Sequence, residues 1–131
     1  MQDRNWWLAT ALSGAILVAA GAFAAHGLSG LLSPKLLQTF ETGVRYQAWH
    51  TLAMLGVLAW RSACPLAGQH RVLGLWMLGI LLFSGSLYAL ALSGVSRLGI
   101  ITPFGGVFMI AGWLALAWCV MRTQSSLSGR T

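Results

Sequence analysis

Carboxylates are nearly absent from this chain: Asp3 and Glu41 are the only two among 131 residues. They stand far apart, which excludes acid–base chemistry that needs a pair of carboxylates. Cysteine is as scarce. Cys64 and Cys119 have no CxxC spacing and cannot form a disulfide framework, so reduced thiols are expected. There is no HExxH, no Gly-rich phosphate loop and no Ser/His/Asp order, so the usual hydrolase, zinc-protease and nucleotide signatures are missing. Charge is low, at 8% of residues. The eight basic residues, Arg4, Lys35, Arg45, Arg61, Arg71, Arg97, Arg122 and Arg130, are single and dispersed. Despite a net charge of +6, no basic cluster interleaved with aromatics offers a phosphate-tracking surface, and no nucleic-acid partner is expected.

What remains is apolar. Hydrophobic residues make up 57% of the chain, and the runs 6–25, 72–93 and 103–121 carry no charged residue. Each approaches the roughly 20 residues that a helix needs to cross a hydrocarbon core about 30 Å thick. A fourth run, from about 44 to 60, is interrupted only by Arg45, Gln47 and His50. So short a chain cannot hide this much apolar surface from water. The expectation is an all-α integral membrane four-helix bundle forming one domain over residues 1–131. Its spans fall near 6–26, 44–61, 72–93 and 103–122, in the inner (plasma) membrane of a bacterium. The first run is longer than the core of a signal peptide and three more spans follow it, so it reads as a retained helix.

Local signals set the boundaries. Ser33-Pro34 is an N-cap followed by proline at the first helical position, which predicts a helix from 34 to about 60. It would begin as an interfacial segment and bend at Gly43. Thr102-Pro103 repeats the signal before the fourth span, and the polar tail 123–131 is expected to fray. With four spans, Arg4, Arg61, Arg71, Arg122 and Arg130 share one side, against Lys35, Arg45 and Arg97 on the other. Five against three places both termini in the cytoplasm.

Helices in lipid associate through close backbone approach and interhelical hydrogen bonds. Small residues provide the approach: Gly14 and Gly21 in the first span, the Gly85/Ala89/Ser93 ridge in the third, and Gly105, Gly106 and Gly112 in the fourth. Polar residues gather toward the side opposite the termini. His26 ends the first span there. Tyr46, Gln47 and His50 enter the second, and Ser84, Ser86 and Tyr88 lie in the third. Groups of this kind at membrane depth are costly and usually face a bundle interior or wet cavity. A single polar pocket of these seven residues is therefore the candidate site. On that reading, alanine at both His26 and His50 should lower bundle stability or ligand binding far more than alanine at Trp60 or Trp76.

At 100° per residue Gly43, Gln47, His50 and Met54 share one helix face, while Glu41 projects the other way. That opposes a metal site built from His26, His50 and Glu41, and neither a metal nor another cofactor is expected. Glu41 and Arg45 have the acid-first spacing of a helix ion pair, here at an outer mouth.

Four ordered blocks then carry a resemblance. They are Gly21-Ala22-Phe23-Ala24-Ala25-His26, Thr42 through His50 (TGVRYQAWH), Leu82 through Tyr88 (LFSGSLY), and Thr102-Pro103-Phe104-Gly105-Gly106 with Gly112-Trp113. Together they resemble the domain-of-unknown-function 423 family, small bacterial inner-membrane proteins related to animal transmembrane protein 256. Ala24 stands where that pattern usually has glycine. The resemblance implies a four-helix inner-membrane protein and brings no activity, substrate, cofactor or catalytic residue. Three function classes stay open: a structural or partner-binding subunit that docks a copy of itself or another membrane protein, a small oligomeric transporter or channel, and a membrane enzyme using a quinone, lipid or metal. Besides the lipid bilayer, the expected partner is a homo-oligomer or a membrane protein.

Overall fold

A computed structural model describes residues 2–128, with side chains described for residues 3–123. Arg130, counted in the orientation above, lies outside the described residues. Helix α1 (Gln2–Ala22) continues as a π-helical turn over Phe23–Leu28. Helix α2 (Pro34–Ala63), α3 (Gln69–Ser93), a short 3-10 turn (Ser96–Ile100) and α4 (Thr102–Ser128) follow, with no strand among the described residues. The helix ends follow local chemistry. Ser33 Oγ accepts the Leu36 amide at 3.4 Å, with Pro34 opening α2. Gly94 closes α3 at φ 72°, a left-handed conformation that glycine adopts without penalty, and its amide bonds Leu90 O at 2.8 Å.

Three expectations about boundaries change. Helix α2 runs unbroken through Gly43, because that glycine is a crossing point rather than a bend: a Cβ there would lie 2.7 Å from the Tyr88 ring. Thr102 does not cap α4, since its hydroxyl is shared with Ser86 Oγ at 2.7 Å. The chain beyond 122 does not fray at once; α4 continues to Ser128.

α2 and α3 form the middle of the bundle, with α1 packed on α2 and α4 packed on α3. Glycines set the spacing. A Cβ on Gly105 would strike the Phe83 backbone, and one on Gly79 would stand 2.7 Å from Met109 Cγ, so α3 and α4 touch through their main chains. This is not the ridge expected from sequence, for a Cβ on Gly85 meets nothing within 4 Å. On the other side, Gly14 and Gly21 of α1 approach Thr51 and Val44 of α2.

The core divides into two apolar clusters. One joins Met54, Val57, Leu58, Val72, Leu73, Trp76, Ile80 and Met109 in the half nearer the termini. The other joins Ala24, Leu28, Phe40 and Ala91 at the far end. The π-helical turn serves the second cluster, since it brings both Ala24 and Leu28 inward while the Phe23 ring lies over Gly27. α1 with its π-helical extension, α3, and the segment Ser96–Thr123 are long and apolar enough to cross a membrane. α2 falls short by composition, because Lys35, Glu41, Arg45 and Arg61 lie within it, together with Gln47 and His50. Its 30 residues still measure about 45 Å, and it lies between apolar neighbours. Leu12, Ile16 and Val18 of α1 and Phe104, Val107, Ile110 and Leu114 of α4 point outward, as lipid-facing side chains must.

Candidate functional site

The seven polar residues do not line one pocket; they divide among separate hydrogen-bond sets. The largest joins three helices. Gln47, buried on α2, donates through Nε2 to Ser13 O at 3.0 Å and Ser13 Oγ at 3.3 Å. Its Oε1 accepts the Tyr88 hydroxyl of α3 at 2.7 Å. Ser13 Oγ and Thr51 Oγ1 share a hydrogen at 2.7 Å. One helical turn nearer the loops, Ser84 Oγ donates to Gly43 O at 2.7 Å, so the glycine both admits the Tyr88 ring and offers its carbonyl. Gln47 thus spends its carbonyl and its amide nitrogen within the protein.

His50 sits one turn along α2 and faces α4 instead. The Trp113 indole can only donate, so His50 Nε2 accepts it at 3.2 Å. Nδ1 therefore carries the proton and donates to Tyr46 O at 2.8 Å. The ring is neutral, fully bonded and packed edge-on against Trp76 and Trp113. Tyr46 contributes its carbonyl and a ring that packs at a tilt against Phe83 and Trp49. Ser86 pairs with Thr102 and Phe83 O, which staples the start of α4 to α3.

His26 lies apart from all of these. The π-helical turn leaves it exposed at the loop end, outside every network. Glu41 and Arg45 are also exposed. Both border a shallow recess beside Gly21, Ala24 and Ala25, yet they form no ion pair. An exposed i,i+4 pair is worth only about 0.3–0.5 kcal/mol, too little to hold two mobile side chains together. No three His, Cys, Asp or Glu side chains converge on a metal-sized site among the described residues.

Sequence reading missed a second polar set at the termini end. Asp3 Oδ1 accepts Arg61 Nε at 2.9 Å and meets His70 Nε2 at 2.7 Å, which joins α1, α2 and α3. Buried Gln69 accepts the Leu66 amide at 2.8 Å and Arg61 Nη1 at 3.3 Å, and it donates to Cys64 O. The signal was available: four spans place Asp3, Arg61 and His70 on one side, and Asp3 is the only acid there. Hydrogen bonds from His70 first, then Arg61, hold Asp3 below the ordinary carboxylate value. A depressed carboxylate stabilises the fold above its unfolded value of 3.8, and this contribution fades as pH falls through the lower folded value. Thermal melts taken at falling pH should therefore show an acid-dependent loss of stability in the wild type. That loss should shrink in Asp3→Asn, and identical profiles for the two would contradict the clasp.

Two open grooves flank the central pair. Between α1 and α3 lies one of about 280 Å³, with walls including Leu12, Ile16, Ile80 and Leu81 and a floor of Ser13, Gln47, Ser84, Gly85 and Tyr88. Between α2 and α4 lies one of about 400 Å³, lined by Gly56, Trp60, Trp76, Trp113 and Leu116 among others. The Cβ position of Gly56, like that of Gly85, is open space.

Spans of this length, outward aliphatic faces and interhelical bonds among buried amides and hydroxyls define a small multi-pass helical membrane protein. A family model described as "Protein of unknown function (DUF423)" matches residues 20–106. The chain is 45% identical to the UPF0382 membrane protein of Haemophilus influenzae over 115 residues, which is 88% of this chain and 92% of that one. It is 42% identical to the UPF0382 inner membrane protein YgdD of Escherichia coli over 121 residues, 86% of each chain. The UPF0382 membrane protein YwdK of Bacillus subtilis is 41% identical over 108 residues, covering 81% and 87%. No solved structure matches. The chain belongs to the DUF423 family and is a multi-pass inner-membrane protein.

Proposed function

We propose that this chain is a structural, partner-binding membrane subunit that receives a transmembrane helix of another protein in the groove between α1 and α3. The observation that carries this is Gly85. Glycine inside a helix costs about 0.5–1 kcal/mol relative to alanine. At Gly43, Gly79, Gly105 and Gly112 the cost is offset by a neighbour that a Cβ would strike. At Gly85 nothing in the chain itself comes within 4 Å, and the residue borders a groove with apolar walls. Close backbone approach by an added helix is the use that such a position has in lipid.

The polar floor favours glue over chemistry, because Gln47, Ser13, Thr51, Ser84 and Tyr88 are bonded to one another or to the backbone. An apolar slab from Met54 to Val72 and Trp76 separates this network from the Asp3 clasp. For orientation, Arg4, Arg61, Arg71 and Arg122 at the termini end support cytoplasmic termini.

Replacement Gly85→Leu tests the reading. The Cβ position is open and the side chain would extend into the groove, so the melting temperature in detergent should stay near wild type. Any protein that copurifies stoichiometrically with the wild type should be lost. A partner that remains bound, or a Gly85→Leu chain that fails to fold, would overturn the assignment. Loss of self-association instead would identify the partner as a second copy.

A further inference from the structure

A second site lies at the termini end, in a cleft of about 300 Å³ between the start of α3 and the last turns of α4. Ala67, Gly68 and Arg71 line it from one side, and Ala115, Trp118, Cys119 and Arg122 from the other. Among the described residues no carboxylate faces its two arginines. The whole chain holds two acids; Asp3 is engaged by Arg61 and His70, and Glu41 lies at the opposite end beside Arg45. Among the described residues, neither Arg71 nor Arg122 pairs with a carboxylate. Arg122 is nevertheless positioned, its guanidinium lying 5.1 Å from the centre of the Trp118 ring. The wall is fixed as well, because Cys119 Sγ donates to Ala67 O at 3.3 Å and ties the loop to α4. Gly68 caps α3 without a side chain, so no capping side-chain hydrogen bond covers the start of this 25-residue helix.

We propose that this cleft binds the phosphate of an anionic phospholipid headgroup. Two arginines present planar donors suited to phosphate oxygens, and the helix end adds a favourable field. The membrane supplies the ligand, because the cleft stands where α3 and α4 leave their apolar runs and exposed Trp118 marks the interface. Basic recesses between transmembrane helices hold anionic headgroups in this manner. The inference is independent of the α1/α3 groove, which lies on a different face and involves none of these residues.

The test uses the full chain in phosphatidylcholine nanodiscs with and without phosphatidylglycerol, reading retained lipid by native mass spectrometry. The wild type should keep phosphatidylglycerol selectively. Arg71→Gln combined with Arg122→Gln should weaken retention by about tenfold or more. Arg97→Gln, at the opposite end, should leave it unchanged, and the Arg71→Lys/Arg122→Lys variant should restore part of it by returning the charge. Equal retention by the double glutamine variant would overturn the site. So would inorganic phosphate that displaces the lipid at low concentration, since the cleft would then be a soluble-anion site.

Discussion

Gly105→Ala is expected to disrupt the bundle more than any other one-carbon change. The added methyl would strike the Phe83 backbone and lie 2.7 Å from both its Cα and its Cβ. A flexible side-chain tip could rotate aside, but main chain cannot, so α3 and α4 must separate. Their separation would open the Gly79–Met109 contact and strain the Ser86–Thr102 hydrogen bond. Overpacking usually costs about 1–3 kcal/mol and more where the backbone must move, and we expect the upper end or beyond. Gly85→Ala is the control, with the same chemistry on the neighbouring helix and open space at the Cβ. It should be neutral or slightly stabilising. Thermal unfolding in detergent, followed by helical circular dichroism, reads the difference. Equal melting temperatures for the two variants would mean that α3 and α4 do not cross at Gly105.

Trp76→Ala should be the most damaging truncation of a side chain. The residue is wholly buried, donates to Met109 O at 3.3 Å and packs at a tilt against Trp113, 4.7 Å between ring centres. It also supports the edge of His50. Within a bundle the loss is mainly one of packing contacts, and comparable truncations cost about 3–5 kcal/mol. His50→Ala should cost less, because it removes one interhelical hydrogen bond, from the Trp113 indole, and such bonds in membranes average about 0.6 kcal/mol, while the Tyr46 carbonyl keeps its place in the helix. His26→Ala should be nearly silent. Trp76 thus outranks both histidines, against the expectation from sequence that the histidine pair would matter more, and a His26→Ala variant as unstable as Trp76→Ala would refute the structure's account of both.

That reversal shows where sequence stops being informative. Periodicity identified the buried face of α2, because Gly43, Gln47, His50 and Met54 lie 3 or 4 residues apart and all are buried. The apolar runs and the Ser33-Pro34 signal located the helices to within a few residues. Partner assignment needed the third dimension. Nothing in the chain announces that Gln47 turns toward Ser13 of α1 while His50, one turn later, turns toward Trp113 of α4. His26 looked like a pocket residue because it ends a span, but π-helical winding after Ala22 rotates it outward. Glycine was ambiguous for the same reason. Composition marks Gly79, Gly85 and Gly105 alike, and only their surroundings separate a helix crossing from an open groove.

The groove between α1 and α3 is where the proposed role stands or falls. A photoreactive residue at Leu81, on its exposed wall, reads its occupant in intact membranes, with Leu114 on the outer face of α4 as the reference. We expect one discrete protein adduct from position 81, abolished by Gly85→Leu, and only lipid adducts from position 114. Lipid adducts alone from both positions would mean that the groove is filled by acyl chains and that the chain docks no helix there.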